Sequence, residues 1–217
     1  MLVRWLVVLA AFAAPVAHAQ NAEIRATVTD ERGKPVADAV VIAVPADGNL
    51  RLPAKPREDI VDQVDKEFMP KVQAVLVGTP VTFPNRDSVR HQVYSFSAAK
   101  RFELPLYTGV PQAVVFDKPG VVILGCNIHD WMVGYIYVSE SPYFATTDAA
   151  GRAVLTDVPP RGYIVRVWHP QLGVAEEVTR KSVDVLRGQH ADVAWTVALK
   201  PEVRIRRAPV AGQRGGY

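Results

Sequence analysis

The chain is poor in cysteine and in long apolar runs. Cys126 is the only cysteine among 217 residues, so an internal disulfide is excluded and the residue needs another reason to be present. Beyond the N-terminus, no apolar stretch is long enough to cross a bilayer. Helical periodicity is also missing, except around residues 59–68. Pro is frequent, with 17 residues, and Val recurs throughout, which favours short strands and turns.

The N-terminus has the pattern of a secretory signal peptide. Arg4 supplies a positive charge, residues 5–14 form a short apolar segment, and Ala17-His18-Ala19 is an A-x-A cleavage site. The apolar segment is too short for a membrane anchor. We therefore expect residues 1–19 to be removed and the mature chain to reach the periplasm, which is an oxidising compartment.

The formal net charge of +3 is carried largely by the C-terminus. Residues 200–217 contain one lysine and four arginines and end in Gly-Gly-Tyr. A solvated, disordered basic tail is the favoured interpretation. Nucleic-acid binding is disfavoured, because exported proteins rarely meet nucleic acid.

Short apolar segments separated by turn signals predict an all-β chain. We expect a linker at residues 46–58 and a long loop at residues 98–112. The predicted strands are residues 24–28, 36–44, 72 onward, 81–83, 91–96, 114–116, 121–125, 135–138, 153–155, 163–168, 174–178 and 191–198.

The residues with the most distinctive chemistry lie in the middle of the chain. Cys126, His129 and Met132 form a C-x-x-H-x-x-M run, and His91 lies on a predicted strand upstream. One thiolate, two imidazoles and one weak thioether are the ligands of a trigonal His₂Cys copper site with a long axial Met. A tight loop between two antiparallel strands can present three of these donors to one point. A bound metal would also protect the lone thiol from oxidation.

Other interpretations of the same residues remain open. Taken singly, His91 is a strand residue whose ring nitrogens have hydrogen-bond partners, Met132 fills a core and Cys126 is a small buried hydrophobic residue. Zinc fits less well, because its structural sites favour several thiolates and rarely use a thioether. A Cys–His nucleophile pair leaves Met132 without a role and lacks a recognisable oxyanion hole.

Residues 68–138 resemble the cupredoxins, and amicyanin and plastocyanin in particular. The resemblance rests on G-x-x-V-x-F-x-N at residues 78–85, on His91, and on KPGVVILGCNIHDWMVGYIYV at residues 118–138. More loosely, the whole chain is similar to plastocyanin-like proteins associated with methylamine utilisation. The resemblance implies a Greek-key β-sandwich with one type 1 (blue) copper. Its strong ligands would be His91, Cys126 and His129, with Met132 as the weak axial ligand and Asn85 bracing the ligand loop by hydrogen bonds.

The ligand loop departs from the cupredoxin pattern in three places. Asn127-Ile128 replaces the proline that many relatives carry between the Cys and the His, and Leu124 stands where an aromatic is common. Asp130 follows the ligand His directly. We expect this acid to favour the protonated, metal-free form of His129.

Two outer segments resemble the carboxypeptidase regulatory-like (transthyretin-like) β-sandwich. They are GKPVADAVV at residues 33–41 and TTDAAGRAVLTDVPPRGYIVRVWHP at residues 146–170. Because the copper block separates them, the resemblance implies a cupredoxin domain inserted into a loop of this sandwich. The expected boundaries are residues 20–56 and 142–199 for the outer sandwich and 57–141 for the cupredoxin domain.

These features predict single-electron transfer between redox partner proteins, without catalysis and without membrane insertion. We expect electrons to pass at the edge of His129, guided by Trp131 and by Lys100 and Arg101 in the predicted loop. One rival is copper storage or delivery without redox turnover. A second is a binding or assembly module with a vestigial copper loop.

Overall fold

The computed structural model describes residues 22–201, and this part of the chain is all-β, which confirms the predicted class. The predicted signal peptide at residues 1–19 and the predicted tail beyond Pro201 lie outside the described residues. No helix within residues 22–201 combines the length and apolarity that a membrane span needs.

Residues 22–201 contain seventeen strands and one 3₁₀ helix. The strands are β1 (Ala22–Asp30), β2 (Val40–Pro45), β3 (Asp59–Ile60), β4 (Asp62–Val64), β5 (Glu67–Met69), β6 (Val72–Leu76), β7 (Thr79–Thr82), β8 (His91–Ser97), β9 (Lys100–Tyr107), β10 (Val114–Phe116), β11 (Gly120–Gly125), β12 (Val133–Ser139), β13 (Tyr143–Thr146), β14 (Arg152–Val158), β15 (Gly162–Trp168), β16 (Lys181–Asp184) and β17 (His190–Val197). The 3₁₀ helix spans Glu176–Thr179.

Two sheets from the ends of the described chain share the first hydrophobic core. β1 lies between antiparallel β14 and parallel β17, and the second sheet has the order β13-β2-β15-β16. Alternate residues of β1, from Ala22 to Val28, are buried, as its period-two pattern requires. They join Tyr163, Val165 and Val167 of β15 in one cluster.

Residues 61–138 form the second core. It lies between a five-stranded sheet, β6-β12-β11-β8-β9, and a three-stranded sheet, β10-β7-β3. The ring of Phe83 stacks on Phe102 at 5.8 Å and meets the edge of Phe116 at 6.5 Å. Such aromatic pairs contribute about 0.5–1.5 kcal/mol each beyond the area they bury.

A third apolar cluster joins the two cores. Val40 and Ile42 of β2 pack with Val72 and Ala74 of β6 and with Tyr137 of β12. β2 therefore has neighbours on both faces, which explains its unbroken apolar run. The division into two domains, with its boundaries and the insertion, stays a prediction.

A polar network lies beside this third cluster. Arg166 of β15 pairs with Glu176 and, at 2.5 Å, with Glu140, while the hydroxyl of Tyr137 donates to Glu176 at 2.6 Å. The guanidinium side chain is only 12% exposed. Burying these charges costs solvation, which the paired hydrogen bonds offset. The network thereby ties β15 to the end of β12.

The prediction of a long loop at residues 98–112 is wrong, because most of this segment is strand β9. Phe102 and Leu104 are half-buried and alternate with exposed Arg101 and Glu103. The many charges and Pro105 concealed this pattern. Both are compatible with the position of β9 at the edge of its sheet, where a missing N–H is tolerated.

Three other segments differ from the predictions in the type or the start of their secondary structure. Residues 59–68 lie in the short strands β3–β5 and the turn between β4 and β5 in place of a helix, and burial alternates with period two over residues 60–64. The second predicted strand begins at Val40 instead of residue 36, after a positive φ of 59° at Asp38. Residues 174–178 contain the start of the 3₁₀ helix, and Val178 is 72% exposed, so its apolar character did not indicate a strand.

Candidate metal centre

The C-x-x-H-x-x-M run is the loop that connects β11 to β12. These strands pair antiparallel, and Gly125 lies opposite Val133 at the point where the ladder ends. Cys126 follows Gly125 directly and Met132 precedes Val133. The backbone N–H of Met132 donates to the carbonyl of His129 at 2.8 Å, which tightens the loop between them.

His91 reaches the same place from the neighbouring strand. It is the first residue of β8, which pairs with β11 beside the loop. Its Nδ1 lies 3.9 Å from the sulfur of Cys126, and its ring centroid lies 4.9 Å from that of His129. One ligand atom from each of these three residues lies within 4.8 Å of the others. The sequence prediction that these residues converge agrees with this geometry.

Three of the four candidate ligands are almost completely buried. His91, Cys126 and Met132 are 0%, 3% and 1% exposed, and Cys126 and Met132 belong to the second core. His129 is half-buried. Among these four residues, His129 is therefore the one nearest solvent.

One nitrogen of each imidazole is placed to bind a metal. Nε2 of His91 is occupied by the carboxylate of Asp87 at 2.7 Å, so Nδ1 is the nitrogen that faces Cys126. Nδ1 of His129 is buried and has no hydrogen-bond partner within the described structure. A buried polar atom without a partner is costly unless something binds it. These two imidazole nitrogens and the neighbouring thiol form a donor set that fits copper.

The protonation of His129 differs from the sequence expectation. Burial lowers its pKa below the ordinary value of 6.5, and the charges of His91 and Lys66 lower it further, while Asp87 opposes them. The expected stabilisation of the protonated form by Asp130 is therefore wrong. Asp130 is exposed, so solvent screens its charge, whereas burial of the ring disfavours the cation.

Asn85 braces the segment that leads into His91. Its side-chain N–H groups donate to the carbonyls of Val89 at 2.9 Å and Tyr107 at 2.8 Å, and its oxygen accepts from the backbone of Asp87 at 2.9 Å. These contacts hold the loop before β8 against the end of β9. The bracing therefore acts on the His91 side of the candidate site.

Sequence reasoning missed three polar residues around the site. Asp87 is the hydrogen-bond partner of His91, and its spacing of four residues from His91 was the only available signal. Buried Gln63 donates to the hydroxyl of Tyr107 at 2.6 Å, and Tyr107 lies opposite His91 in β9. Burial raises the pKa of Tyr107 to about 12. Nothing local in the sequence links Gln63 to this end of the sandwich.

The carboxylate of Asp87 is charged at neutral pH. Burial raises its pKa, but hydrogen bonds from His91 and from the backbone of Lys66 and Asp65 outweigh burial, and the net pKa is below the usual 3.8. An ionised carboxylate therefore lies directly behind one candidate ligand.

Lys100 and Arg101 lie far from the ligand loop, contrary to the sequence expectation. In the β8–β9 ladder, His91 pairs with Tyr107 at one end and Ser97 with Lys100 at the other. At about 3.3 Å per residue, this places Lys100 roughly 20 Å from the site along the strand. Lys100 is also paired with Asp117 at 3.0 Å.

The aromatic residues near the loop have different surroundings. Trp131 is half-buried with its ring 5.1 Å from that of His129, and its indole N–H is buried without a hydrogen-bond partner among the described residues. Tyr135 packs against Trp168 at 6.1 Å in the third cluster. Trp131 is therefore the aromatic neighbour of the candidate site.

Comparison with known proteins gives partial structural likenesses. No family model and no curated protein sequence matches the chain. A purple cupredoxin from Nitrosopumilus maritimus is 29% identical over 38% of this chain and 99% of its own, with a TM-score of 0.33. A reduced amicyanin variant is 23% identical over 43% of this chain and 85% of its own, with a TM-score of 0.34. The copper-containing nitrite reductase of Thermus scotoductus SA-01 is 25% identical over 53% of this chain and 28% of its own, with a TM-score of 0.37. These partial likenesses do not assign the chain to a family.

Proposed function

We propose that this protein binds one type 1 copper ion and carries single electrons between partner proteins in the periplasm. The observation that carries the proposal is the convergence of His91, Cys126 and His129 within 4.8 Å, with a buried, unpartnered nitrogen on His129. A thiolate and two imidazoles are the equatorial donor set of such a site. Export rests on the sequence of residues 1–19, and the intact mass of the exported protein tests it.

Each candidate ligand has a distinct role in the proposal. A bound copper ion would supply the one-electron couple between Cu(II) and Cu(I). Cys126 would bind as a thiolate, His91 and His129 would bind through imidazole nitrogens, and Met132 would be the weakest donor through its thioether. Strands β8, β11 and β12 fix these side chains in a packed core, which keeps their rearrangement small when the charge changes.

Electrons are proposed to pass at the His129 edge. His129 is half-buried, whereas the other three candidate ligands are 3% exposed or less. The ring of Trp131 lies beside it at 5.1 Å. A partner that contacts this edge comes closer to the donor set than one that docks elsewhere.

The burial of the ligands argues against the rival function of copper delivery. Handing an ion to an acceptor protein requires incoming ligands to reach it, and Cys126 and Met132 are 3% and 1% exposed. Four protein donors also leave no coordination position for a substrate, so we propose a carrier instead of an enzyme. A vestigial loop would have no reason to keep the unpartnered nitrogen of His129 buried.

The two-core arrangement supports the proposed domain division. One cluster draws on residues 22–43 and 153–197, and the other on residues 61–138. Limited proteolysis tests the division. Cleavage in residues 46–58 that leaves two protease-resistant cores supports it, and simultaneous degradation of both cores contradicts it.

Addition of Cu(II) to metal-free protein tests the proposed function. We expect an intense visible thiolate-to-copper band, one copper per chain, and reversible voltammetry over many cycles. Zn(II) is the control, since it gives no such band. Absence of the band would refute the copper site. Rapid transfer of the ion to a metal-free acceptor, without reversible cycling, would refute electron transfer in favour of delivery.

A further inference from the structure

We propose that Asp87 is a positioning residue for His91 and that its carboxylate favours the oxidised form of the bound ion. This inference rests on the proposed function. It concerns a side chain outside the four ligands, at a distance of 2.7 Å from Nε2 of His91.

Asp87 is itself held by a hairpin turn that lies more than twenty residues earlier in the chain. Its two carboxylate oxygens accept hydrogen bonds from the backbone N–H groups of Asp65 at 2.7 Å and Lys66 at 2.9 Å. These two residues form the whole loop between β4 and β5, and their φ values are 53° and 60°. Positive φ at both central residues is the signature of a type I′ turn. The turn therefore directs two adjacent N–H groups at one carboxylate.

The carboxylate is fixed from a third side by its own segment. The backbone N–H of Asp87 donates to the side chain of Asn85, which is anchored in turn to the end of β9. With these contacts made, one lone-pair direction of the carboxylate points at Nε2 of His91. The side chain of Asp87 is only 13% exposed, so water competes weakly for that position.

The hydrogen bond to Asp87 determines which nitrogen of His91 can bind a metal. An ionised carboxylate only accepts hydrogen bonds, so Nε2 carries the proton. The lone pair is then on Nδ1, the atom 3.9 Å from the sulfur of Cys126. Without Asp87, the imidazole could adopt either tautomer and could tilt within its pocket. The contact therefore determines both the tautomer and the orientation of the His91 ring.

The negative charge adds an effect that depends on oxidation state. A carboxylate behind a metal-bound imidazole increases the basicity of that ligand. Its attraction to a doubly charged ion is also twice its attraction to a singly charged one at the same distance. Asp87 should therefore strengthen Cu(II) binding more than Cu(I) binding. A purely structural brace would strengthen both equally.

The test compares the affinities of Asp87→Asn and wild-type protein for the two oxidation states. Competition with Cu(II)- and Cu(I)-specific chelators gives each dissociation constant, and the reduction potential gives an independent ratio. We expect Cu(II) affinity to fall about 10–100-fold and Cu(I) affinity to fall clearly less, so that the potential rises. Asp87→Glu keeps the charge and should restore the affinity ratio towards the wild-type value.

Asp62→Asn is the matched control. It removes a carboxylate from β4 whose partner is Arg86, at 2.9 Å, instead of His91, and it should leave the ratio of affinities unchanged. Equal losses for Cu(II) and Cu(I) in Asp87→Asn, or an unchanged potential, would overturn the inference while wild-type copper binding stands. If wild-type protein binds no copper, the proposed function fails first. Circular dichroism of each metal-free variant separates these effects from loss of the fold. If Asp87→Asn is unfolded, the test uses Asp87→Glu, whose ratio of Cu(II) to Cu(I) affinity must stay near that of the wild type.

Discussion

Replacement of Cys126 by Ser should abolish the visible band of the copper-loaded protein and leave the metal-free fold intact. Cys126 is 3% exposed in the second core, and its sulfur lies 3.9 Å from Nδ1 of His91. An oxygen at that distance makes no hydrogen bond. The buried hydroxyl then costs about 1–3 kcal/mol, against a stability of about 5–15 kcal/mol for a typical domain.

These magnitudes translate into thermal shifts. For a chain of this size, 1 kcal/mol corresponds to about 2–4 °C, so the metal-free Ser variant should melt about 2–12 °C below wild type. Copper at 100 times its dissociation constant should add about 2.7 kcal/mol to the wild type. That increment should be largely lost in the variant, because the proposed thiolate ligand is missing.

Cys126→Ala is the matched control, and differential scanning calorimetry with absorption spectroscopy is the assay. The Ala variant removes the thiolate without introducing a hydroxyl. It should therefore lose the visible band as completely as the Ser variant and differ from it only in stability. Retention of an intense thiolate-to-copper band in either variant would refute Cys126 as the ligand. An unfolded metal-free Ser variant beside a folded Ala variant would show that the cost of the hydroxyl is larger than argued.

Three further outcomes test other parts of the structure. Met132→Leu should keep copper and the band but shift the reduction potential, because the axial thioether mainly tunes it; loss of copper would contradict this role. Gly151→Ala should lower the free energy of unfolding by more than about 2 kcal/mol, because its φ is 72° and the new Cβ would clash with the backbone oxygen of Val28. Gly48→Ala, with a φ of 70° and nothing within 4 Å of the new Cβ, should cost only about 1–2 kcal/mol. Equal losses of stability in urea would refute the clash. The pKa of Asp148 is lowered by hydrogen bonds from the backbone of Arg152 and Ala150. The stability that Asp148 contributes is therefore present above its unfolded pKa and is lost as pH falls through its folded pKa. Asp148→Asn should weaken the pH dependence of the free energy of unfolding, measured in urea below about pH 4, and an unchanged pH dependence would contradict this.

The candidate ligands of the β11–β12 loop could be proposed from the sequence because their information is local. Cys126, His129 and Met132 lie within one short loop, and residue types at that spacing specify few alternatives. Strands β1 and β15 were equally accessible, since buried and exposed residues alternate along them with period two. In these places the local pattern and the tertiary packing point the same way.

The support that Asp87 gives to the site could not be predicted in this way. Asp87 acquires its role from the Asp65-Lys66 turn, 22 and 21 residues away in sequence. That turn was not anticipated, because Asp-Lys is a poor signature for a type I′ loop compared with Asn-Gly or Asp-Gly. Strand β9 was hidden for a related reason, since an edge strand tolerates charges and a proline that would exclude a central one.

The position of β9 also determines where a partner can be guided to the site. Lys100 lies roughly 20 Å from His91 along the ladder, and salt at physiological strength screens exposed charges beyond about 8 Å. Its pairing with Asp117 at 3.0 Å reduces its field further. Contrary to the sequence expectation, Lys100 therefore cannot steer an acidic partner to the His129 edge. On the proposed function, selection of a partner at that edge would fall to residues of the Cys126–Met132 loop, where Trp131 lies against His129, the most exposed of the four candidate ligands.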